Sequence, residues 1–374
     1  MLPKTIALLL FGFILYGVSA QPVLSDPQAH PRAAQLYDFL GRSASQGILF
    51  GHQDDLSYGV DWWDVPGRSD VKDAVGSYPA VFGWDVGVIT SKRNIDSVLF
   101  KSMLKGIHRV YKMGGINTIS WHMVNPENGA SSWDKSHSVP ALLPGGKAHQ
   151  TYLDRLDRFA DFIGACQVFP FQKIPIVFRP FHEHNGDWFW WGKGNCTEQE
   201  YIDLWRFTVD YLRNEKNLHQ LIYAFSPDRS RLQLDDFDQA YLYGYPGDDY
   251  VDILGLDDYW DVGKSQNKVS DSTQHLHLTA SLQQLGNLAR SKQKIAALTE
   301  TGLDGLAKEA WYTQWLLEPM QAAEANIAWV LVWRNSTKKH HYVPYEGHPA
   351  FSDFRAFEAH SATLFLRDIT NPYK

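Results

Sequence analysis

Eight short apolar segments, each bounded by turn-forming residues, recur along the chain. They are rich in β-branched residues and lack polar alternation, which is typical of strands buried on both faces. These segments are residues 48–53, 80–86, 117–123, 175–183, 221–227, 253–260, 295–300 and 328–333. The pattern therefore predicts eight strands that lie inside a protein rather than at its surface.

Stretches with the apolar spacing of amphipathic helices lie between these strands. The clearest are residues 97–113, 151–165, 197–214, 277–291 and 307–325. Thr197 and Glu200 have the spacing of a capping box, and Pro319 is expected to interrupt the last helix. Alternating strands and helices over this length predict a closed (β/α)8 TIM barrel, an α/β fold.

The first twenty residues have the pattern of a secretory signal peptide. Lys4 precedes an apolar run at residues 6–16, and small residues end the segment before Gln21. The alternative is a membrane anchor that is never cleaved. We expect a signal peptide at residues 1–20 and one catalytic domain at 21–374, secreted and with no membrane partner.

Composition narrows the class of partner. The net charge of −7 is mild and argues against nucleic acid. Aromatic residues make up 14% of the chain, with fourteen tryptophans, and flat rings presented in clefts are surfaces on which sugars stack. Cys166 and Cys196 are expected to be unpaired, because their helices place them at opposite faces of the barrel, beyond the reach of a disulfide.

Active sites of such barrels lie at the C-terminal ends of the strands. The polar and aromatic residues at these ends are His52, Gln53, Trp84, Asp85, Trp121, His122, His182, Glu183, Asp228, Asp257 to Trp260, Glu300, Trp333 and Arg334. Glu183 and Glu300 end the fourth and seventh strands, which lie across the barrel from each other. Hydrolysis of a glycosidic bond needs two such carboxyl groups, one protonated and one ionised.

The surrounding residues suggest a role for each glutamate. Glu183 lies in an aromatic stretch from Phe178 to Gly192, and burial there would raise its pKa and suit an acid. Arg179, four residues earlier, is expected either to pair with Glu300 or to form a structural ion pair in the barrel. Strict strand alternation would not let His182 and Glu183 both face the cleft, so a bulge or a supporting role for His182 is expected.

Two other function classes remain open at this point. His52, His122, His182 and His184 fall at or just beyond strand ends, so a metal hydrolase is one alternative. A lectin-like or chitin-binding barrel is the non-enzyme alternative, and the presence of both glutamates argues against it. We expect no catalytic metal and no cofactor.

Several motifs resemble those of glycoside hydrolase family 26, the β-mannanases of the retaining (β/α)8 clan. FRPFHEHNGDWFWWG resembles the acid/base segment of that family, and LTETG resembles its nucleophile segment. The resemblance implies that Glu183 is the acid/base and Glu300 the nucleophile. It also implies the following sugar-binding residues: His122, His182, Trp188, Asp257, Tyr259, Trp333 and Arg334.

Within that set, the resemblance gives Tyr259 a hydrogen bond to the nucleophile and places Trp188 against the leaving sugar. Arg334 would contact a sugar one position further from the cleavage site. The implied partners are β-mannan and manno-oligosaccharides. We expect the protein to act on them as a monomer. A few relatives act instead on β-1,3-xylan or mixed-linkage glucan, and the motifs decide neither between endo and biose-releasing action nor whether galactose branches are tolerated. Glycosylation sequences occur at Asn195 and Asn335.

Overall fold

Eight parallel strands close into a barrel in the computed structural model, which describes residues 23–374. They are β1 (Ile48–Gln53), β2 (Val81–Asp85), β3 (Ile116–Ser120), β4 (Ile176–Arg179), β5 (Leu221–Phe225), β6 (Ile253–Asp258), β7 (Ile295–Thr301) and β8 (Ile327–Val332). Each strand pairs with its neighbours in sequence, and β8 pairs with β1 to close the sheet. This confirms the predicted (β/α)8 barrel. The predicted signal peptide lies outside the described residues.

Helices surround the barrel and cover its outer face. They are α1 (Pro31–Ser43), α2 (Asp70–Val75), α3 (Phe100–Met113), α4 (Val139–Leu142), α5 (His149–Ala165), α6 (Glu198–Asp210), α7 (Phe237–Tyr241), α8 (Asp271–Ser291), α9 (Glu318–Ala322) and α10 (Phe351–Glu358). Nearly every strand residue is buried, as expected for strands covered on both faces. Phe50 of β1 shows how the layers meet, because its ring packs against Phe354 and Phe357 of α10 and against Phe365.

Most predicted helices are found, with one difference near the C-terminus. The capping box between Thr197 and Glu200 is present at the start of α6. Residues 307–325 do not form one helix, because π-helical turns at Trp311–Leu317 lead into the short helix α9. Pro319 lies in the first turn of α9, at the junction with these π-helical turns.

Five strands, β2 to β6, are shorter than predicted, and the difference at β4 matters most. The predicted segment ran through Glu183, whereas β4 ends at Arg179. Pro180 cannot donate a ladder hydrogen bond, and Phe181 and Glu183 adopt left-handed backbone with φ of 47° and 53°. Glu183 therefore lies on a turn beyond the strand, where strand alternation does not apply, while His182 is buried, in keeping with the supporting role expected for it.

Many of the tryptophans pack in the hydrophobic core. Seven of the fourteen are completely buried: Trp84, Trp121, Trp190, Trp191, Trp205, Trp311 and Trp329. The aromatic richness of the chain therefore reflects packing between barrel and helices at least as much as a sugar-binding cleft.

Both cysteines are free and buried, which confirms the prediction that they are unpaired. Cys166 caps the C-terminus of α5, and Cys196 immediately precedes the N-cap of α6. Among the described residues, none of the helices combines the length and the apolar character needed to cross a membrane.

Candidate active site

The carboxylates of Glu183 and Glu300 face each other at the C-terminal mouth of the barrel. One carboxylate oxygen of Glu183 and one of Glu300 lie within 4.8 Å of each other, and an oxygen of Asp257 lies within the same distance of both oxygens. Retaining glycosidases place their two carboxyl groups about 5 to 5.5 Å apart, whereas inverting enzymes need roughly 6.5 to 9.5 Å. The separation therefore suits direct attack by one carboxylate.

Glu183 reaches the cleft from the turn that follows β4. Its backbone N–H donates to the Ser226 carbonyl at 2.8 Å, and the buried Trp191 indole donates to the His182 carbonyl at 2.9 Å. A non-glycine residue in left-handed backbone costs about 1 to 3 kcal/mol and persists only where its surroundings hold it. These two hydrogen bonds supply part of that support on either side of the turn.

The surroundings of Glu183 favour its protonated form. Burial raises the pKa of Glu183 well above its usual range, and the negative charges of Asp228, Asp257 and Glu300 raise it further. The Trp188 indole N–H, which donates to Glu183 Oε2 at 2.7 Å, acts in the opposite direction. A carboxyl group whose pKa is raised in this way is suited to donate a proton to a leaving oxygen.

Glu300 at the end of β7 is held by two donors. The Arg179 Nη2 group donates to Glu300 Oε1, and the Tyr259 hydroxyl donates to Oε2 at 3.1 Å. Of the two alternatives expected for Arg179, the pairing with Glu300 is thus found, and Arg179 also pairs with the buried Asp257. A buried guanidinium and a hydroxyl both stabilise an ionised carboxylate, so Glu300 is suited to act as a nucleophile.

A bulge in β7 brings Asp257 beside Glu300. The register between β6 and β7 shifts after Leu256, so Thr299 is the extra residue and Asp257 pairs with Glu300. Asp257 accepts hydrogen bonds from Thr299 Oγ1 at 2.7 Å and from Arg179 Nη1 at 2.6 Å. Asp257 is fully buried, and it fixes Arg179 between two acidic side chains.

Two histidines with opposite properties lie beside the pair. His122 Nδ1 lies 2.8 Å from Asp85 Oδ2, and although burial acts the other way, the Asp85 charge raises the pKa of His122. Burial and the charge of Arg179 hold the pKa of His182 well below its usual range. The two rings meet edge to face at 4.6 Å, so a neutral imidazole supports one that favours the charged form.

Glu183 and Glu300 line a cavity of about 830 Å³. Of the predicted binding residues, His122, Trp188, Tyr259 and Trp333 line it. Its other lining residues come mainly from the loops after β3 to β7: Trp133, Phe189, Asp228, Ser230, Trp260, Gly263, Lys264, Ser265, Gln266, Gly302, Leu303, Asp304, Ala307 and Tyr342. The volume falls in the range of sites that take a ligand of several rings.

Three predicted binding residues do not line this cavity. His182 and Asp257 are buried beneath its floor, and each of the Asp257 oxygens is already hydrogen-bonded to protein groups. Arg334 lies to one side, paired with Asp96 at 3.1 Å and set against the Tyr58 ring at 5.8 Å. The structure thus brings four of the seven to the cavity and places His182 and Asp257 as supports.

The four strand-end histidines do not assemble into a shared site. His52 Nδ1 contacts Asp55 at 2.8 Å, and His184 Nε2 contacts the Tyr243 carbonyl at 2.7 Å. Within residues 23–374, the one group of three potential metal-ligand side chains is Glu183 with Asp257 and Glu300, whose oxygens already accept protein donors. The geometry favours acid/base chemistry at this trio.

The loop after β8 contributes a residue that sequence reasoning missed. Tyr342 lines the cavity and packs over Gly302, where an added Cβ would lie 2.3 Å from the tyrosine ring. The buried Asn335 side chain holds this loop, because its oxygen accepts from the backbone N–H groups of Tyr342 and Val343, and its nitrogen donates to the Val343 carbonyl and to Asp70. Nothing in the local sequence marks Tyr342, whose position depends on this long-range contact.

Comparison with known proteins places the chain in a family. Residues 25–329 match the model of glycosyl hydrolase family 26. A mannan endo-1,4-beta-mannosidase of Bifidobacterium adolescentis is 32% identical over 89% of this chain, and the match spans only 34% of that relative's length. A GH26 beta-mannanase structure from Bacteroides ovatus is 37% identical with a TM-score of 0.85, covering 92% of this chain and 98% of that one. The catalytic domain of an endo-beta-1,4-mannanase from Bacillus sp. JAMB-750 is 32% identical with a TM-score of 0.86, covering 95% and 96%. The chain therefore belongs to glycosyl hydrolase family 26.

Proposed function

We propose that this protein is a secreted, retaining β-mannanase that hydrolyses β-1,4-mannosidic bonds in mannan, galactomannan or glucomannan. The observation that carries the chemistry is the approach of Glu183 and Glu300 to within 4.8 Å in contrasting surroundings. The substrate class is supported by the relatives, whose names are mannan endo-1,4-beta-mannosidase or beta-mannanase.

In the first step, a Glu300 oxygen attacks the anomeric carbon of the bound mannosyl unit. The bond from that carbon to the leaving oxygen breaks, and its electron pair stays on the oxygen, which takes the proton of Glu183. Arg179 and Tyr259 orient the attacking carboxylate by their hydrogen bonds to it. The product is a glycosyl ester of Glu300, and the anomeric carbon is inverted once.

In the second step, a water molecule attacks the same anomeric carbon. Glu183, which is now a carboxylate, takes a proton from that water molecule. The ester bond breaks, its electrons return to Glu300, and the second inversion restores the original configuration. His122 and Trp333 line the cavity beside the carboxylates, where they would contact the reacting sugar, and Trp188 would contact the leaving one.

Substrate class is tested by product analysis on linear mannan, galactomannan and glucomannan beside β-1,3-xylan and mixed-linkage glucan. We expect hydrolysis of the three mannans and none of the other two. Proton NMR of the first product should show the β-anomer. Appearance of the α-anomer first would rule out the double displacement.

The division of roles is tested by Glu183→Ala and Glu300→Ala. Loss of the acid should lower mannan cleavage by about 100- to 10,000-fold. An aryl β-mannobioside, whose leaving group needs no proton, should still form the ester, and azide should then restore turnover and give a β-glycosyl azide. Glu300→Ala should be inactive on both substrates, because no ester forms.

Glu215→Ala provides the matched control, since Glu215 is exposed and follows α6, away from the cavity. It should keep full activity on both substrates. Equal losses for Glu183→Ala on mannan and on the aryl substrate would contradict the assignment of Glu183 as the acid.

The proposed export rests on the sequence of residues 1–20. N-terminal sequencing of protein recovered from the culture medium should begin at Gln21. We propose that the secreted form is a monomer acting on polysaccharide, and light scattering should give a mass near that of a single mature chain.

A further inference from the structure

A hairpin after β1 carries a tryptophan that neither the core nor the cavity uses. Residues Tyr58–Gly59 pair antiparallel with Trp62–Trp63, and the Trp63 side chain is 47% exposed. Its indole stacks on the Tyr58 ring with a centroid distance of 4.9 Å and an interplanar angle of 7°. A large apolar ring is thus presented to solvent on top of a second ring.

The hairpin holds this ring pair in place from below. Tyr58 is almost fully buried, and its hydroxyl donates to Asp54 Oδ2 at 2.8 Å. Buried Asp70 accepts from the Val60 N–H at 2.7 Å and from the Trp62 indole at 2.6 Å. Because these contacts already order the hairpin, a ligand that stacks on Trp63 does not bear the entropic cost of ordering it.

The hairpin lies across the barrel from the loop that carries the proposed acid. The leaving group must lie beside the acid, so the leaving-group side of the cleft begins at Glu183 and Trp188, on the loop after β4. β8 and β1 lie across the barrel from β4 and β5, and the loops after them carry Arg334 and the hairpin. Arg334 is set against the same Tyr58 ring that supports Trp63. The Tyr58 ring thus adjoins both Arg334 and Trp63.

Polar groups adjoin the exposed indole. A cavity of about 240 Å³ lies between the hairpin and α3. Trp63 lines it together with the polar side chains of Asp64, Arg93 and Ser102. An aromatic ring flanked by hydrogen-bonding groups is the composition that receives the C–H face and the hydroxyls of a sugar.

We propose that Trp63 forms a distal glycone subsite, which binds a β-linked mannosyl unit beyond the one that Arg334 contacts. This inference rests on the proposed function and extends it. A chain that reaches Trp63 is held by several glycone units, which favours cleavage within long chains over release of mannobiose from an end.

The test uses two aryl β-mannosides that fix the register, because aryl release reports only binding with the aryl group in the leaving position. The mannobioside occupies the two glycone positions up to Arg334, and the mannotetraoside extends two units further. Trp63→Ala should lower kcat/KM for the mannotetraoside by about 5- to 10-fold, the scale of one lost stacking contact. The value for the mannobioside should change by less than about twofold.

Trp63→Phe keeps an aromatic platform and should recover most of the mannotetraoside value. Phe169→Ala is the matched control, because Phe169 is 94% exposed on a hairpin that leads into the N-terminal end of β4. It should leave both values unchanged. An unaltered melting temperature of Trp63→Ala would show that the hairpin is intact.

Equal effects of Trp63→Ala on both substrates, or none on either, would overturn the subsite while leaving the proposed function standing. If the wild-type protein hydrolysed neither mannoside nor mannan, the proposed function would fail and the subsite with it.

Discussion

Trp188→Phe removes one hydrogen bond from the proposed acid/base and keeps an aromatic ring in its place. The indole N–H donates to Glu183 Oε2 at 2.7 Å and so stabilises the carboxylate more than the acid. Without that donor the pKa of Glu183 should rise. The protonated acid should then persist to higher pH.

The size of the shift follows from the strength of the bond. A hydrogen bond to a charged group is worth about 1.5 to 3 kcal/mol, and one pKa unit corresponds to about 1.36 kcal/mol. Trp188 is only partly buried, and water reaching Oε2 would replace some of the lost interaction. We therefore expect an upward shift of roughly one unit.

The measurement is the pH dependence of kcat/KM on mannohexaose, whose sugar leaving group the proposed acid Glu183 would protonate. The alkaline limb should move up by about one unit in Trp188→Phe, with a lower maximum because the leaving sugar loses part of its contact. Asp228→Asn is the companion variant. It removes a negative charge that raises the pKa of Glu183, so its alkaline limb should move down.

Opposite displacements in the two variants would identify Glu183 as the titrating group. An alkaline limb that stayed in place in both, or moved down in Trp188→Phe, would refute this reasoning and assign the limb to another residue.

Three further outcomes are expected. Tyr259→Phe removes the 3.1 Å hydrogen bond to Glu300 and should lower kcat by about 10- to 100-fold, so an unchanged kcat in stopped assays would exclude a role for the hydroxyl. Arg179→Lys cannot bridge Asp257 and Glu300 with two parallel donors, and urea unfolding should show a loss of about 3 kcal/mol, while a loss below about 0.5 kcal/mol would mean that lysine satisfies both. Titration of the denatured, unreduced protein should give two free thiols, and a melting temperature that falls on adding reductant would instead indicate a disulfide.

The barrel could be predicted because its strands are buried on both faces and alternate with amphipathic helices. The end of β4 could not be located in the same way, because Phe181 follows Arg179 and Pro180 and so extends the apolar segment that begins at Ile176. Pro180 was the available signal, since it lacks the N–H group that a central strand needs.

Two nearby tryptophans, Trp188 and Trp190, show where composition stops being informative. Trp188 lines the cavity and contacts Glu183, whereas Trp190 is fully buried and donates to the Met123 carbonyl at 2.8 Å. Their local sequences do not distinguish them, because the difference arises from the turn that carries them.

The approach of Glu183 and Glu300 could be predicted from the barrel, which brings the C-terminal ends of β4 and β7 to the same mouth, although Glu183 lies on the turn beyond its strand. The support around Glu300 could not. The bulge at Thr299 depends on the register between two strands, and the resulting contact of Thr299 with Asp257 has no signature within either segment. Long-range register therefore set the limit of what the sequence could predict here.

The buried amide of Asn335 bears on how the protein is best produced. Asn335 and Asn195 both begin glycosylation sequences, yet both side chains are buried. The Asn195 nitrogen donates to the Asp187 and Phe189 carbonyls at 3.1 and 2.7 Å, and the Asn335 nitrogen donates to Asp70 and Val343. A glycan attached to either nitrogen during synthesis would occupy a position that the folded chain needs for itself. Expression in a eukaryotic secretory host would thus set glycan transfer against folding, whereas a host that lacks N-glycosylation avoids that competition.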